Sequence, residues 1–186
     1  FSGQSKLRLD WRTFRLERGM FFDILKVGAI ACLSPLQSVL TVLIFTRLLS
    51  RYGTVTLAGY GIGARLEFML VPIAASIGMA SVPLVGMNVG RGNIERARKI
   101  AWTAGLLAAC VVGSVGLVLS VAPDLWAANF TSDPRVLESA RQYFHMAGPA
   151  FGFLGLALSL YFASQGSGKI LGPVLAQSGR LVTVIV

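Results

Sequence analysis

The stretch FMLVPIAASIGMASVPLVGMNVG, residues 68–90, runs for 23 residues without a formal charge. A helix rises about 1.5 Å per residue and a bilayer's hydrocarbon core is about 30 Å thick, so about 20 apolar residues cross it. Residues 27–46, 100–123 and 142–168 are uncharged over similar lengths, and a fifth apolar stretch, 170–186, is broken only by Arg180. A soluble domain of 186 residues does not repeat that length four times. The sequence therefore predicts an all-α, polytopic transmembrane helical bundle of about five spans.

Composition agrees. Hydrophobic residues make up 54% of the chain and charged ones 13%, about half the charge of a soluble domain; mean hydropathy is +0.69. A net charge of +9 raises nucleic acid as a partner, but the placement of the charges argues against it. Lys6, Arg8, Arg12, Arg15, Arg18 and Lys26 precede the first span. Arg91, Arg96, Arg98 and Lys99 lie between the second and third, and Lys169 between the fourth and fifth. With alternating spans these segments share one side, while the opposite side holds Arg47 and Arg51, then Arg135 and Arg141 against Asp124, Asp133 and Glu138. That asymmetry is the positive-inside pattern. It predicts a multi-pass protein of the cytoplasmic membrane, with the N-terminal segment cytoplasmic, the bilayer as a partner and no nucleic acid.

Cys32 and Cys110 lie in apolar spans at a spacing that fits no metal site, and read as small core residues rather than a disulfide. The first twenty residues are basic and amphipathic, unlike a secretory signal. The chain opens on Phe1 and ends on LVTVIV in mid-span, which reads as a piece of a longer protein.

Residues 1–22 read as a basic cytoplasmic linker and interfacial helix. Residues 23–186 read as one transmembrane lobe, with spans at about 23–49, 55–89, 97–122, 143–165 and 170–186. The second is too long to lie wholly in lipid, so residues 54–65 line the outer mouth or tilt. Asp133-Pro134 marks an N-cap followed by proline at the first helical position. Pro35, Pro72, Pro83, Pro149 and Pro173 fall within spans and predict bent helices. Gly59/Gly63, Gly86/Gly90 and Gly148/Gly152 have the small-xxx-small spacing of closely approaching helices.

Ionisable residues within spans cost roughly 2.5–3.5 kcal/mol at mid-helix on insertion scales, so they are functional candidates by default. Arg65 and Glu67 stand two apart, on different helix faces, and do not simply neutralise each other; the alternative places both near the outer interface. His145 begins span four, either as a proton carrier or as an interfacial histidine. Ser34, Gln37, Ser38 and Thr41 surround Pro35, and Gln37 and Thr41 share a face at i, i+4. They line a cavity or hydrogen-bond another helix. Gln165 and Gln177 are weaker versions of the same pattern, and Arg180 contacts a partner lobe or a carbonyl.

The run LAGYGIGARLE (57–67), Pro72, and VGMNVGRG (85–92) followed by Arg96-Ala-Arg98 resembles the multidrug and toxic compound extrusion (MATE) transporters. In that family a Gly-Gln-Asn-x-Gly-Ala-Gly signature ends the second helix of each six-helix half. Here Gly86, Asn88, Gly90 and Gly92 match it, with Met87 in place of the glutamine and Arg91 in place of the alanine. The resemblance extends to the basic linker, to the loop carrying Asp133-Pro134 and to Gly166-Ser-Gly168, so the chain corresponds to helices seven to eleven of twelve. It implies the C-terminal half of an exporter of organic cations or other amphipathic molecules, coupled to Na⁺ or H⁺. The N-terminal half of the same transporter would be its partner, and no further cofactor is expected. One branch of the family uses carboxylates in the first and fourth helices of this half. No Asp or Glu occurs between Lys26 and Arg65, nor after Glu138. Coupling then falls to Glu67 or to the N-terminal half.

The first functional expectation is thus an antiporter lobe, not an enzyme. Pro35 and Pro72 would serve as hinges, Gly86–Gly92 as the cytoplasmic turn, and Gln37, Ser38, Thr41, Arg65, Glu67, His145 and Gln165 as the substrate and ion pathway. A flippase for lipid-linked sugars or cell-wall precursors keeps the fold and changes the cargo, and Arg65 and Arg180 would then face phosphates. An integral-membrane enzyme or a channel ranks lower: the sequence has neither a His-Glu-x-x-His nor a Cys-x-x-Cys pattern, nor a filter-like loop.

Overall fold

The computed structural model of the chain describes residues 18–168 and Leu175. The linker over residues 1–17, the fifth span, Gln177 and Arg180 lie outside the described residues, as does the side chain of Ser34. The described part is helical: α1 is Arg18–Ser50, α2 Thr54–Gly90, α3 Ile94–Val121, α4 Asp124–Ala127, α5 Pro134–Ala147 and α6 Phe151–Gly166, with a 3₁₀ turn at Gly148–Ala150. Three segments are long and apolar enough to cross a membrane: Thr54–Gly90, Ile94–Val121 and Pro134–Gly166. Pro35–Ser50 of α1 is a shorter apolar helix. At most 33% of each spanning window is covered by protein. The remaining apolar surface requires lipid, and the backbone's own helical hydrogen bonds make that tolerable.

α2, α3 and the α5–α6 pair form the core, with α1 alongside α2. Leu66, Leu70, Ala74, Val112, Phe144 and Phe151 are buried together, and Val85, Ala97 and Ala163 form a second cluster near the α2–α3 turn. Lipid offers no hydrophobic drive for helix association, so packing depends on close approach. Glycines supply it. A Cβ on Gly155 would stand 2.6 Å from the Ala108 carbonyl oxygen, and one on Gly113 would stand 3.0 Å from Gly152 Cα. On the α2–α5 seam, Gly59 lies against Ser139 and Gly63 against the ring of Tyr143.

The α2–α3 connection has only three residues, and the sequence accounts for it. Gly92 sits at φ +75°, where its amide donates to the Val89 carbonyl at 2.9 Å and the Asn93 amide to that of Asn88 at 2.9 Å. This paired closure is a Schellman ending, which needs a residue at positive φ. Asn93 then caps α3, its side chain accepting from the Arg96 amide at 3.2 Å. At the other end of the bundle Asp133 caps α5 by accepting from the Arg135 amide at 2.9 Å, with Pro134 opening the helix.

Two features differ from the sequence expectation. The helix opens at Pro134 as its N-cap signal predicts, but where it is expected to lead unbroken into a span over about 143–165, α5 is separated from α6 by the 3₁₀ turn at Gly148–Ala150. Pro149 has no amide hydrogen for the His145 carbonyl, and the regular ladder breaks there. By contrast α1 runs unbroken through Pro35, and α2 through Pro72 and Pro83. The loop after Pro123 also contains α4, which folds back onto α2: the Trp126 indole donates to the Ile62 carbonyl at 3.1 Å.

Candidate functional site

α2 carries Arg65 and Glu67 two residues apart, and each has its own side-chain partner. Arg65 is exposed, its guanidinium 5.0 Å from the centroid of the Phe130 ring, a cation–π distance. Glu67 is half-buried and accepts a hydrogen bond at Oε1 from the Tyr143 hydroxyl of α5. Gly63, one turn before Glu67, leaves the room that the Tyr143 ring fills. Tyr143 meets the edge of Tyr60 at 5.8 Å between centroids, and Tyr60 in turn meets Phe45 of α1 at 5.4 Å. A line of aromatic rings therefore connects α1, α2 and α5 at the level of the carboxylate.

Tyr60, Arg65 and Glu67 border a cavity of about 690 Å³ between α1, α2 and α6, lined also by Ser38, Thr46 and Phe68, with Leu154, Ala157 and Leu158 opposite. An apolar wall with few polar groups and one acid is the form of a site for an amphipathic cation. A groove of about 730 Å³ along α2 and α3 is slightly larger. It is lined by Arg96 and Lys99 but by no acid, and its hydroxyls bond back to their own helices: Ser76 to Ile73, Ser81 to Gly78 and Thr103 to Lys99. Of these two cavities, the one between α1, α2 and α6 is lined by an acid, Glu67, together with Arg65.

The other expected pathway residues divide. Ser38 lines the cavity. Gln37 is buried, Thr41 donates its hydroxyl to the Gln37 carbonyl at 2.8 Å, and neither is among the residues lining the cavity. His145 is exposed; two residues beyond Tyr143, it lies on another side of α5. Gln165 is half-buried, about 16 Å along α6 from the Leu154 wall. Pro35 and Pro72 are exposed within continuous helices. In the turn motif, Asn88 is buried and donates to the Leu84 carbonyl at 2.8 Å. A Cβ on Gly86 would stand 3.2 Å from the Gly166 carbonyl oxygen, while Gly90 faces open space.

Sequence reasoning missed Tyr143, Tyr60 and Phe130. Tyr143 did carry a signal: Ser139 and Tyr143 are four apart, and they pack against Gly59 and Gly63, also four apart. Among the described residues no three His, Cys, Asp or Glu side chains converge into a metal-binding group.

Long apolar helices packed through glycine notches define a polytopic membrane protein. Residues 31–186 match the MatE family model, and the chain belongs to that family, the multidrug and toxic compound extrusion transporters. It is 28% identical over 153 residues to the probable multidrug resistance protein NorM of Thermotoga maritima, covering 82% of this chain and 33% of that protein. It is 26% identical over 148 residues to the multidrug resistance protein MdtK of Pectobacterium atrosepticum, covering 75% and 32%. A FAD transporter of Shewanella oneidensis is 23% identical over 128 residues, covering 69% and 28%. The chain thus spans about a third of the length of these curated relatives.

Proposed function

We propose that the chain forms one lobe of a cation-coupled antiporter that exports amphipathic organic cations across the cytoplasmic membrane, with the N-terminal half of the same transporter closing the cavity. Family membership and the multidrug resistance relatives support transport rather than catalysis. The single observation that carries the site is Glu67: an acid inside an apolar span, half-buried on a cavity wall of apolar and aromatic side chains. A carboxylate there is costly unless a cation compensates it. Organic cation and coupling ion (H⁺ or Na⁺) compete for the same negative charge, and exchange follows because each is released by the other. In this reading the Arg91–Lys99 end faces the cytoplasm, where basic residues meet the anionic inner leaflet.

The test is Glu67→Gln in the intact transporter, reconstituted with imposed pH or Na⁺ gradients. Losing one charge-assisted contact, worth about 1.5–3 kcal/mol, lowers uptake of a fluorescent organic cation about tenfold or more at equal protein level. Unchanged uptake under both gradients removes Glu67 from the pathway. The FAD transporter's likeness makes an anionic flavin the competing cargo, and a flippase would carry a lipid-linked phosphate. Arg65 is the cation lining this cavity, so either cargo predicts that Arg65→Gln, not Glu67→Gln, is the damaging change.

A further inference from the structure

We propose that the groove between α2 and α3 is a lipid seat: an acyl chain of an anionic phospholipid lies along it, and Arg96 and Lys99 hold the phosphate at its mouth. The proposal goes beyond the transport reading and depends neither on the cargo nor on Glu67. With the orientation proposed above, the lipid belongs to the cytoplasmic leaflet.

The groove, of about 730 Å³, has unlike ends: Arg96 and Lys99 line it next to the α2–α3 turn, and Leu107 lines it deeper in the bundle. From Arg96 to Leu107 α3 rises about 16 Å, and one leaflet's share of the hydrocarbon core is about 15 Å. The groove therefore runs from the membrane surface to the midplane, the depth of a single acyl chain. Its wall is apolar: Ala80 and Ala104 lie among Ile77, Leu84 and Ile100. The hydroxyls of Ser76, Ser81 and Thr103 already bond to carbonyls of their own helices, so a hydrocarbon chain leaves none of them unpartnered.

Helical periodicity decides what covers the groove. Ser76, Ala80 and Leu84 lie about half a turn around α2 from Tyr60, Ala64 and Val71, which line the cavity beside α1. A second lobe closing that cavity approaches the other side of α2. On α3, Thr103 and Leu107 lie about half a turn from Gly105 and Gly116, which pack against Leu156 and Phe151 of α6. The groove is thus on the outside of the α2–α3–α6 packing, where lipid is the neighbour. Charge selects the lipid. Arg96 and Lys99, three apart, share one side of α3, and Arg96 is in no ion pair among the described residues. Lys99 meets Glu95 at 3.0 Å, but these side chains are 74% and 72% exposed. Such a pair is worth little, so a phosphate can recruit the ammonium while the guanidinium fork supplies paired donors.

The test is lipid retention by the intact transporter in detergent, read by native mass spectrometry. Dioleoyl phosphatidylglycerol should be retained in preference to dioleoyl phosphatidylcholine, which has the same chains and no net charge. Arg96→Gln with Lys99→Gln should lower phosphatidylglycerol affinity about tenfold or more. Arg91→Gln, exposed at the same turn but outside the groove, should leave it unchanged. Ala80→Phe fills the groove from an exposed position and should release the lipid although both cations remain. Should that variant express poorly, Thr103→Phe, also exposed in the groove, is read in the same way. Four results overturn the proposal. Retention of neither lipid means that another segment of the transporter covers the groove, and equal retention of both means that the cations do not select. An equal loss in Arg91→Gln means a diffuse surface attraction. Full binding in both filled-groove variants means a headgroup contact without a seated chain. Efflux plays no part in the measurement, so failure of the Glu67 site leaves its result standing.

Discussion

Arg141 holds Asp124 through two parallel hydrogen bonds, Nε to Oδ1 and Nη2 to Oδ2, each 2.8 Å. The same guanidinium donates to Glu138 at 3.4 Å, so one arginine of α5 gathers an acid of α4 and an acid of its own helix. The hydrogen bond from Arg141 lowers the Asp124 pKa below its ordinary 3.8; slight burial opposes this, and the arginine's charge adds to it. A carboxylate depressed in the folded state contributes stability above its unfolded pKa and loses it as pH falls through the folded one. The window is therefore below about pH 4. Thermal melts in detergent should show an acid-side loss in the wild type that is flattened in Asp124→Asn. At neutral pH that variant should melt only slightly lower, because 40% of the Arg141 and 53% of the Asp124 side chain is exposed and solvent screens the pair.

The α2–α3 turn separates three neighbouring residues by role. Gly92→Ala places a Cβ at φ +75° and should cost about 1–2 kcal/mol. Asn93→Ala removes the cap on the Arg96 amide and should cost about 1 kcal/mol. Arg91, at φ −86° and exposed, has no such constraint, so Arg91→Ala should leave the melt unchanged. A melt of the three variants in one detergent checks the order Gly92, Asn93, Arg91.

Much of this lobe could be read from the chain, and the part that could not is physically specific. Lengths of uncharged sequence gave the spanning helices, because lipid thickness sets a length that composition must meet. A turn was legible near Gly92 because positive φ and glycine go together, but it is shorter than the expected Gly86–Gly92: α2 continues through Gly86, Asn88 and Gly90, and the turn begins at Arg91. Its one-residue detail was not: Gly92 alone needs the freedom, while Gly90 faces open space. The helix break was illegible because five prolines within spans look alike in sequence. Pro35, Pro72 and Pro83 are accommodated in unbroken helices, whereas Pro149 follows Gly148, which is pressed against the Gly116 carbonyl. Glu67 stood out by charge alone, but its hydrogen-bond donor Tyr143 lies 76 residues away in sequence, and no local pattern links the two.

The same substitution should have opposite signs at two glycines. A Cβ on Gly155 would stand 2.6 Å from the Ala108 carbonyl oxygen, while nothing lies within 4 Å of one on Gly61. Gly155→Ala therefore forces α3 and α6 apart and should destabilise by about 1–3 kcal/mol. Gly61→Ala gains helix propensity of about 0.5–1 kcal/mol with no clash. Unfolding titrations in detergent measure both. If the two variants shift stability in the same direction, the α3–α6 seam is not the tight contact described above.

Pro149→Ala tests whether the break between α5 and α6 serves transport or merely records a proline. Alanine restores the amide that the His145 carbonyl lacks, so a continuous helix from Pro134 to Gly166 becomes available. Alanine is favoured over proline in an unconstrained helix by about 3 kcal/mol, and contact of Gly148 with Gly116 and Ser120 should withhold part of that gain. Straightening turns α5 relative to α6 and draws Tyr143 away from Glu67. The expected result is equal or higher thermal stability together with slower cation efflux. Pro83→Ala is the control: that proline is exposed in an unbroken helix, so its removal should leave efflux unchanged. Full efflux in Pro149→Ala would show that the joint is passive.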